Sequence, residues 1–233
     1  MFTVALVGSD GSGKTTITRR VGTSMPFPVK TMYMGVNLEM NEAMLPTTRL
    51  ALELKRALGR RPDMVAASSG VTAAPARRRN GGAAAGIKSV VKIANWVAEE
   101  WFRQLLAWYH SKLRGRVVLF DRHFFADYYA YDVAPSARPR SLASRMHGGI
   151  LRHAYPKPDL FIFLDAPPAV LLARKGEGTL EFLERRRREY LQIGDVVRHF
   201  VVVDADRPPD EVADEVGQII TRFYDTEKRR TSQ

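Results

Sequence analysis

Short runs of apolar residues alternate along this chain with longer segments in which apolar residues recur at helical spacing. The runs are too short for buried helices and are rich in Val, Leu and Phe, as is typical of strands buried on both faces. They predict strands at Thr3–Val7, Val29–Met34, Val117–Phe120, Leu160–Leu164 and Phe200–Val203. The alternation predicts an α/β fold, with a five-stranded parallel sheet between helices on both faces.

Helical spacing predicts the elements that connect these strands. The helical patterns cover about residues 14–24, 38–58, 87–113, 140–154, 167–175, 180–193 and 209–224. The third of them carries an apolar stripe of Trp96, Trp101, Leu105 and Trp108. Such a stripe usually faces its own domain's interior, an interpretation that we favour over a seam in a homodimer.

Two basic segments interrupt or end this order. Residues 59–86 consist mostly of Gly, Ala, Ser and Arg, and they hold too little apolar surface to offset the entropy of ordering. Strands on both sides are needed for one sheet, so we predict a flexible basic insertion within a single domain that spans residues 1–233. The run Lys228-Arg229-Arg230 predicts a disordered basic tail over residues 226–233.

Composition narrows the class of protein. With 233 residues, 45% of them hydrophobic, the chain is long enough for one α/β domain. No apolar run approaches the roughly 18 residues that span a bilayer, so we expect a cytoplasmic protein without a membrane partner. The absence of cysteine excludes disulfides and thiolate metal sites. The net charge of +11 favours anionic partners.

The segment after the first strand carries the most specific motif. Gly8-Ser9-Asp10-Gly11-Ser12-Gly13-Lys14-Thr15 has the spacing GxxxxGK[ST], and Thr16 follows it. Glycines let the backbone curl so that its N–H groups face phosphate oxygens, and the helix that follows adds its positive end. Lys14 would reach the terminal phosphates and the Thr15 hydroxyl would hold Mg²⁺. The sequence therefore predicts a nucleotide-binding P-loop at Gly8 to Thr16, and with it a P-loop NTPase-type sandwich.

A second pair of candidate residues, Asp121-Arg122, ends the third predicted strand. Ligand sites in open α/β sheets lie at the carboxyl ends of the strands, so both side chains should face the P-loop. An aspartate there can hold a water bound to Mg²⁺, and an arginine can bind a phosphate bidentately. An Asp-Arg pair that merely ends a strand is the alternative.

The aromatic segment from Phe124 to Asp132 follows that pair directly. Phe125 and Tyr131 could sandwich a planar ring of an acceptor, with Asp132 as a polar neighbour, although core packing is as common a use of such residues. Inside the phosphate loop, Asp10 would be unfavourable beside a polyphosphate unless it accepted a hydrogen bond from a substrate hydroxyl.

Basic residues flank a glycine-containing loop after the fourth strand. Arg174-Lys175-Gly176-Glu177-Gly178-Thr179 precedes a helix with Arg185 to Arg188. We interpret the segment as a lid that would bring positive charge onto a transferring phosphoryl group and exclude water. The alternative is a solvated basic helix.

These motifs together resemble thymidylate kinase and its relatives among the nucleoside monophosphate kinases. The resemblance rests on Gly-x-Asp-Gly-x-Gly-Lys-Thr-Thr, Asp-Arg with an aromatic segment ending Ala130-Tyr131, Pro158-Asp159-Leu160, and Phe182-x-x-Arg185 through Tyr190. It covers Phe2 to about Ser24 and Arg116 to about Val216. It implies a kinase of nucleotide biosynthesis that uses ATP and Mg²⁺ and acts on a small-molecule substrate.

The resemblance also implies a role for each matched residue. Lys14 and Thr15 would bind the ATP phosphates and Mg²⁺, Arg122 the acceptor's phosphate, and Asp10 an acceptor sugar hydroxyl. Because the loop lacks the arginine of some family members, the lid would supply the catalytic charge through Arg174, Lys175 or Arg185.

Departures from the family lie on the acceptor side. Met34-Gly35-Val36-Asn37 replaces the family's Arg-Glu-Pro-Gly-Gly, and Ala98-Glu99-Glu100 replaces its Ala-Asp-Arg. Asp132 stands where Gln is usual, and His123 replaces an aromatic residue. The sequence therefore supports the phosphoryl donor more strongly than thymidylate as the acceptor.

Two other functions remain open at this level. The first is a kinase for a different small hydroxyl or phosphate acceptor, which Asp132, Glu99 or Glu100 would contact. The second is a nucleotide-gated binding protein whose basic segments contact nucleic acid or an acidic partner. Nucleic acid is disfavoured because residues 77–79 and 228–230 carry no interleaved aromatic residues for stacking. The guanine-reading motif Asn-Lys-x-Asp of GTPases does not occur.

Overall fold

A computed structural model describes residues 1–35, 44–57, 97–134 and 142–231 of the chain. The strands are β1 (Thr3–Val7), β2 (Val29–Tyr33), β3 (Val117–Asp121), β4 (Leu160–Asp165) and β5 (Phe200–Asp204). The helices are α1 (Lys14–Ser24), α2 (Pro46–Ala57), α3 (97–108), α4 (Phe124–Tyr128), α5 (Leu142–His153), α6 (Pro168–Lys175), α7 (Leu180–Leu191) and α8 (Pro209–Thr231). A π-helical turn follows α3 at Tyr109–Leu113, another follows α4 at Tyr129–Val133, and a 3₁₀ turn follows α7 at Gln192–Asp195.

The strands form one parallel sheet in the order β2-β3-β1-β4-β5. All five predicted strands are confirmed, each ending within one residue of its predicted end. The central register pairs Ala5 with both Phe120 and Phe161. The middle strands are apolar on both sides because helices cover both faces of a parallel sheet. The predicted P-loop kinase type of α/β fold is therefore confirmed.

The two faces of the sheet have separate cores. Even-numbered residues of β1 and β4, such as Leu6 and Ile162, join a cluster with Ile17 and Val21 of α1 and Val216 of α8. On the opposite face, aromatic rings cover the sheet. The contacts there pair Phe161 with Phe125 and His123, Phe163 with Tyr190, and Phe120 with His123.

The carboxyl ends of β3, β1 and β4 lie side by side, which brings the loops that follow them together. The loop after β1 passes very close to β4, since a Cβ added at Gly8 would lie 2.8 Å from the Leu164 carbonyl oxygen. Gly8 also has φ of 151°, which side-chain-bearing residues rarely adopt. Glycine is therefore required where the phosphate loop leaves β1.

The contacts of the chain divide it into two compact units, Met1–Gly35 with Ala107–Gln233, and Val36–Leu106. In the second unit, Glu99 accepts hydrogen bonds from the Leu45 N–H and the Thr48 hydroxyl at the start of α2. Glu99 also pairs with buried Arg103 at 3.5 Å. Glu99 thus caps α2 and has a structural use in that unit. The single domain stays a prediction, and the 59–86 insertion lies outside the described residues.

The basic tail is corrected over residues 226–231, which belong to α8. The helix begins with Asp210 and Glu211 and ends with basic residues, so both ends complement the helix dipole. Glu227 and Arg230 add a pair at 3.1 Å. The run Lys228 to Arg230, which the sequence analysis assigned to a disordered tail, is thus the basic last turn of α8.

The tryptophan stripe of α3 is also corrected. Trp101, Leu105 and Trp108 are 41%, 62% and 52% exposed, so they do not form the core that the spacing favoured, and Trp96 lies outside the described residues. None of the described helices combines the length and apolar character needed to cross a membrane.

Candidate active site

The phosphate loop is built on glycines with left-handed backbone. Gly11 and Gly13 have φ of 89° and 85°, and α1 begins directly after Gly13 without a side-chain cap. The first N–H groups of a helix have no partner within the helix. Thr15 and Thr16 are exposed in this first turn. The loop therefore offers backbone donors and hydroxyls to an anion, as its sequence predicts.

Lys14 is folded back into the loop that it belongs to. It is 5% exposed, and its Nζ donates to the Ser9 carbonyl oxygen at 2.7 Å and to the Ser12 Oγ at 3.5 Å. Burial, assisted by the charge of Arg122, lowers the pKa of Lys14 to about 8. A phosphate beside the ammonium would favour its charged form.

Asp10 lies at the centre of a group of cations. Its Oδ1 accepts a hydrogen bond from Arg122 Nη2 and lies 4.0 Å from Lys14 Nζ and 3.9 Å from Lys175 Nζ. Burial alone would raise the pKa of Asp10, but these cations outweigh it and hold the pKa below its usual value. One ionised carboxylate thus gathers Lys14, Arg122 and Lys175.

Arg122 reaches this group through a strained backbone. Its φ of 68° is the one positive value at a non-glycine among the described residues. Its N–H donates to the Leu6 carbonyl oxygen at 3.1 Å, which continues the β1–β3 pairing while the chain turns. A Cβ added at Gly35 would lie 2.7 Å from Arg122 Cδ. Strain of this kind persists where the surroundings impose it, often at functional sites.

Asp121 is 6% exposed, and its Oδ1 is buried without a hydrogen-bond partner. A buried carboxylate oxygen of this kind needs an explanation such as a bound ion or water. Its position at the carboxyl end of β3, beside β1, suits a hydrated Mg²⁺, and the exposed Thr15 hydroxyl suits direct coordination. The residues present therefore fit Mg²⁺ held by Thr15 and Asp121.

The residues predicted to form the lid make different contacts. Arg174 donates to the Ala205 carbonyl oxygen at 2.8 Å and lies 3.7 Å from Asp206, so it binds the segment after β5. Arg185 is a 60% exposed side chain beside Glu189. Of these predicted lid residues, the structure brings only Lys175 to the P-loop.

The residues predicted to bind the acceptor lie in different environments. Phe125 is 0% exposed and packs on Phe161, with Lys157 Nζ 4.9 Å from its ring centre, so its assignment to the acceptor is corrected to the core. Asp132 pairs with His147 at 2.7 Å. The side chain of Tyr131 lies outside the described part of the structure.

His123 follows Arg122 and is structural. It is fully buried, and burial lowers its pKa to about 3, so the ring is neutral. Its Nδ1 accepts the Phe125 N–H at 3.3 Å and caps α4. The cap begins the short helix that the sequence did not predict, which carries Asp127 towards the site.

Comparison with known proteins finds similarity over part of the chain. Over 121 residues the chain is 33% identical to a protein of Archaeoglobus fulgidus named probable thymidylate kinase. The match covers 49% of this chain and 58% of that protein, so the chain spans little more than half the length of this relative. No protein-family model matches. The match supports a thymidylate kinase-like relationship.

Sequence reasoning missed two charged residues that interact with each other, Asp127 and Arg186. Asp127 of α4 is half-buried, and Arg122, Arg186 and Lys14 all act on its charge. Arg186 of α7 has a side chain only 13% exposed. A signal for Arg186 was available, because it falls at helical spacing from the buried residues Leu183 and Tyr190.

Proposed function

We propose that this protein is an ATP-dependent kinase that transfers the γ-phosphoryl group of ATP to a small acceptor. The observation that carries the proposal is the meeting of Lys14 and Arg122 at one oxygen of Asp10. This contact supports a role for Lys14 and Arg122 in holding two phosphates close together. The partial match to a probable thymidylate kinase makes a nucleoside monophosphate such as thymidylate the first acceptor to test.

Phosphoryl transfer asks for positioning and charge stabilisation and little covalent chemistry. The acceptor oxygen bonds to the γ-phosphorus as the bond between that phosphorus and the ADP oxygen breaks. Lys14 and the loop N–H groups would hold the donor phosphates and stabilise charge on the leaving ADP. Mg²⁺ held through Thr15 and Asp121 would neutralise part of the phosphate charge. Arg122 would orient the acceptor's phosphate, and Asp10 would turn to an acceptor hydroxyl.

The proposal is tested by coupled measurement of ADP release with ATP, Mg²⁺ and each nucleoside monophosphate in turn. We expect one of them, thymidylate first, to stimulate ADP release above the rate with ATP alone. The Lys14→Met variant, purified in parallel, reports any contaminating kinase. If no nucleoside monophosphate stimulates ADP release by the pure protein, this acceptor class is wrong.

Replacing Asp121 by asparagine should change the response to Mg²⁺ more than the stability. The amide keeps the shape of the side chain but loses the charge that would hold a hydrated ion, so we expect the Mg²⁺ concentration for half-maximal rate to rise about tenfold. The measurement is ADP release over a Mg²⁺ series, with Asp225→Asn on the exposed face of α8 as the matched control. An unchanged Mg²⁺ response would remove Asp121 from the metal site.

Substitutions of the neighbouring residues Arg174 and Lys175 should have different effects, the first mainly on stability and the second mainly on turnover. Lys175→Ala removes a charge 3.9 Å from Asp10, and we expect kcat to fall about tenfold with little change in Tm. Arg174→Ala removes the bond to the Ala205 carbonyl oxygen, so we expect a lower Tm, by a few degrees, and a smaller effect on kcat. Turnover that is unchanged in Lys175→Ala, Arg174→Ala and Arg185→Ala alike would remove the lid from the mechanism.

A further inference from the structure

A chain of polar contacts joins α4, after β3, to α7, after the lid. The Tyr190 hydroxyl lies 3.4 Å from Asp127 Oδ1, and Arg186 Nη2 donates to that hydroxyl at 3.2 Å. Arg186 Nη1 in turn donates to Glu189 Oε2 at 2.8 Å. Tyr190 is itself buried, with its ring stacked on Phe163 of β4. The hydroxyl therefore has a fixed position between the carboxylate and the guanidinium.

Arg186 occupies a helix position that favours an apolar residue. It belongs to the inward stripe of α7 with Leu183 and Tyr190, and its guanidinium lies 4.9 Å from the Tyr190 ring centre. A charge in such a place is costly unless it is paired. In the run from Arg185 to Arg188, the first and last arginines are exposed. Arg186 and Arg187 turn towards the sheet. The Arg186 side chain therefore forms specific contacts and is not simply solvated.

Asp127 interacts electrostatically with charged residues of the loop after β1, of the end of β3 and of α7. The charged and titratable groups that act on it are Arg122, Arg186, Lys14 and Asp10, and Tyr190 contacts it directly. Burial raises the pKa of Asp127, although the three cations oppose the rise. A half-buried carboxylate that interacts with several cations and contacts Tyr190 is suited to holding those cations in place.

The other side of α7 is anchored separately. Arg187 binds Asp165 at the end of β4 through two hydrogen bonds of 2.7 Å. Asp165 ends β4 on one side of β1, and Asp127 comes after β3 on the other side. Arg187 and Tyr190 thus tie α7 to residues at the ends of both strands that flank β1. The helix begins at Leu180, directly after its N-cap Thr179, whose hydroxyl oxygen accepts the Phe182 N–H.

We propose that Asp127, through the Tyr190 hydroxyl and Arg186, links the acceptor-binding Arg122 to α7 and thereby positions the lid over the phosphate loop. Asp127 is in this sense a positioning residue for two arginines. The inference rests on the proposed function and deepens it. It predicts that breaking the link affects the acceptor and the closed lid, and leaves binding of ATP to the phosphate loop nearly unchanged.

Single substitutions along the link test the inference by steady-state kinetics. Tyr190→Phe removes only the hydroxyl, and Asp127→Asn removes only the charge. For each we expect kcat/KM for the acceptor to fall about tenfold while KM for ATP stays within about twofold. The double variant should lose little more than either single variant, because both break the same link. Arg188→Met, on the exposed side of α7, is the matched control for Arg186→Met.

Three outcomes would overturn the link. The first is additive losses in the double variant, and the second is an equal effect of Arg186→Met and Arg188→Met. The third is loss of the acidic limb of the pH–rate profile in Asp127→Asn with KM for the acceptor unchanged, since that is the signature of a general base.

A second measurement keeps this inference separate from the proposed function. Urea unfolding of wild type, Asp127→Asn, Arg186→Met and the double variant gives the coupling of the two side chains without any substrate. We expect the unfolding constants to depart from additivity by about fivefold or more. If wild type turns over no acceptor, the proposed function fails while a non-additive cycle still supports the link. Additive unfolding constants would overturn the link even in an active kinase.

Discussion

Replacing Lys14 by methionine should lower kcat for phosphoryl transfer by about 100-fold to 1,000-fold, as is typical when one preorganised donor is lost from a charge-stabilising site. The ammonium is buried and donates a hydrogen bond to the Ser9 carbonyl oxygen of its own loop. We therefore expect no neighbouring side chain to replace it. Methionine keeps the length of the side chain and avoids the cavity that alanine would leave. The measurement is single-turnover transfer at saturating ATP and acceptor.

Lys112→Met, an exposed lysine of the π-helical turn after α3, is the control for loss of a lysine as such. Its rate should match wild type. A rate close to that of wild type in Lys14→Met or Lys14→Ala would overturn the P-loop assignment.

The depressed pKa of Lys14 gives the same variant a second readout in stability. The folded-state pKa of about 8 lies below the ordinary value of 10.5, so between these pH values the unfolded chain binds more protons than the folded protein. Wild-type stability therefore gains from this group as pH rises from about 8 to 10.5, by on the order of 3 kcal/mol. Lys14→Met should lack that gain. Parallel urea titrations at pH 7.5 and pH 10 measure it, and equal gains in both proteins would contradict the depressed pKa.

The second large effect is expected for Arg122→Ala, and it should fall on the acceptor. The guanidinium can form two charge-assisted hydrogen bonds to a phosphate, so its loss should lower kcat/KM for the acceptor by about 100-fold or more. Arg122→Lys should recover little of this, because an ammonium does not reproduce the planar fork. KM for ATP should change far less, since the donor loop keeps all of its groups.

Initial rates over an acceptor series and an ATP series separate the two effects. Arg145→Ala, on the exposed side of α5, is the control. Because Arg122 holds a left-handed backbone and contacts Asp10, Tm of each variant is measured alongside. Acceptor kinetics that match wild type in Arg122→Ala would make Arg122 a structural residue.

The loop that we propose for the phosphoryl donor could be located in the sequence because its signal is local. Gly8 to Thr15 are consecutive, and the turn between a buried strand and a helix depends on their own backbone preferences. Asp121 and Arg122 could be placed opposite the loop for a related reason, since the ends of parallel strands meet at one edge of the sheet. The predicted strands are confirmed on the same basis of local apolar runs.

The acceptor half could not be predicted because side-chain neighbours across elements decide it. Phe125 has the chemistry of a stacking residue, yet α4 turns it against Phe161 and into the core. Asp132 is engaged by His147, fifteen positions away in the chain. The run from Arg185 to Arg188 reads as one basic patch, whereas the helix turns two of its members inward and two outward. Helical phase within such a run is a weak signal when all four residues have the same charge.

The sequence by itself determined where the five strands lie along the chain, the loop after β1 and the two residues at the end of β3, because short-range backbone preference and strand direction suffice for each. Only the tertiary structure decided that Asp10 gathers Lys14, Arg122 and Lys175, that Arg174 binds elsewhere, and that Asp127 faces Arg186. Apart from Asp10 and Lys14, these residues are far apart in the chain, and their charges interact strongly only when the fold brings them together and partly excludes water.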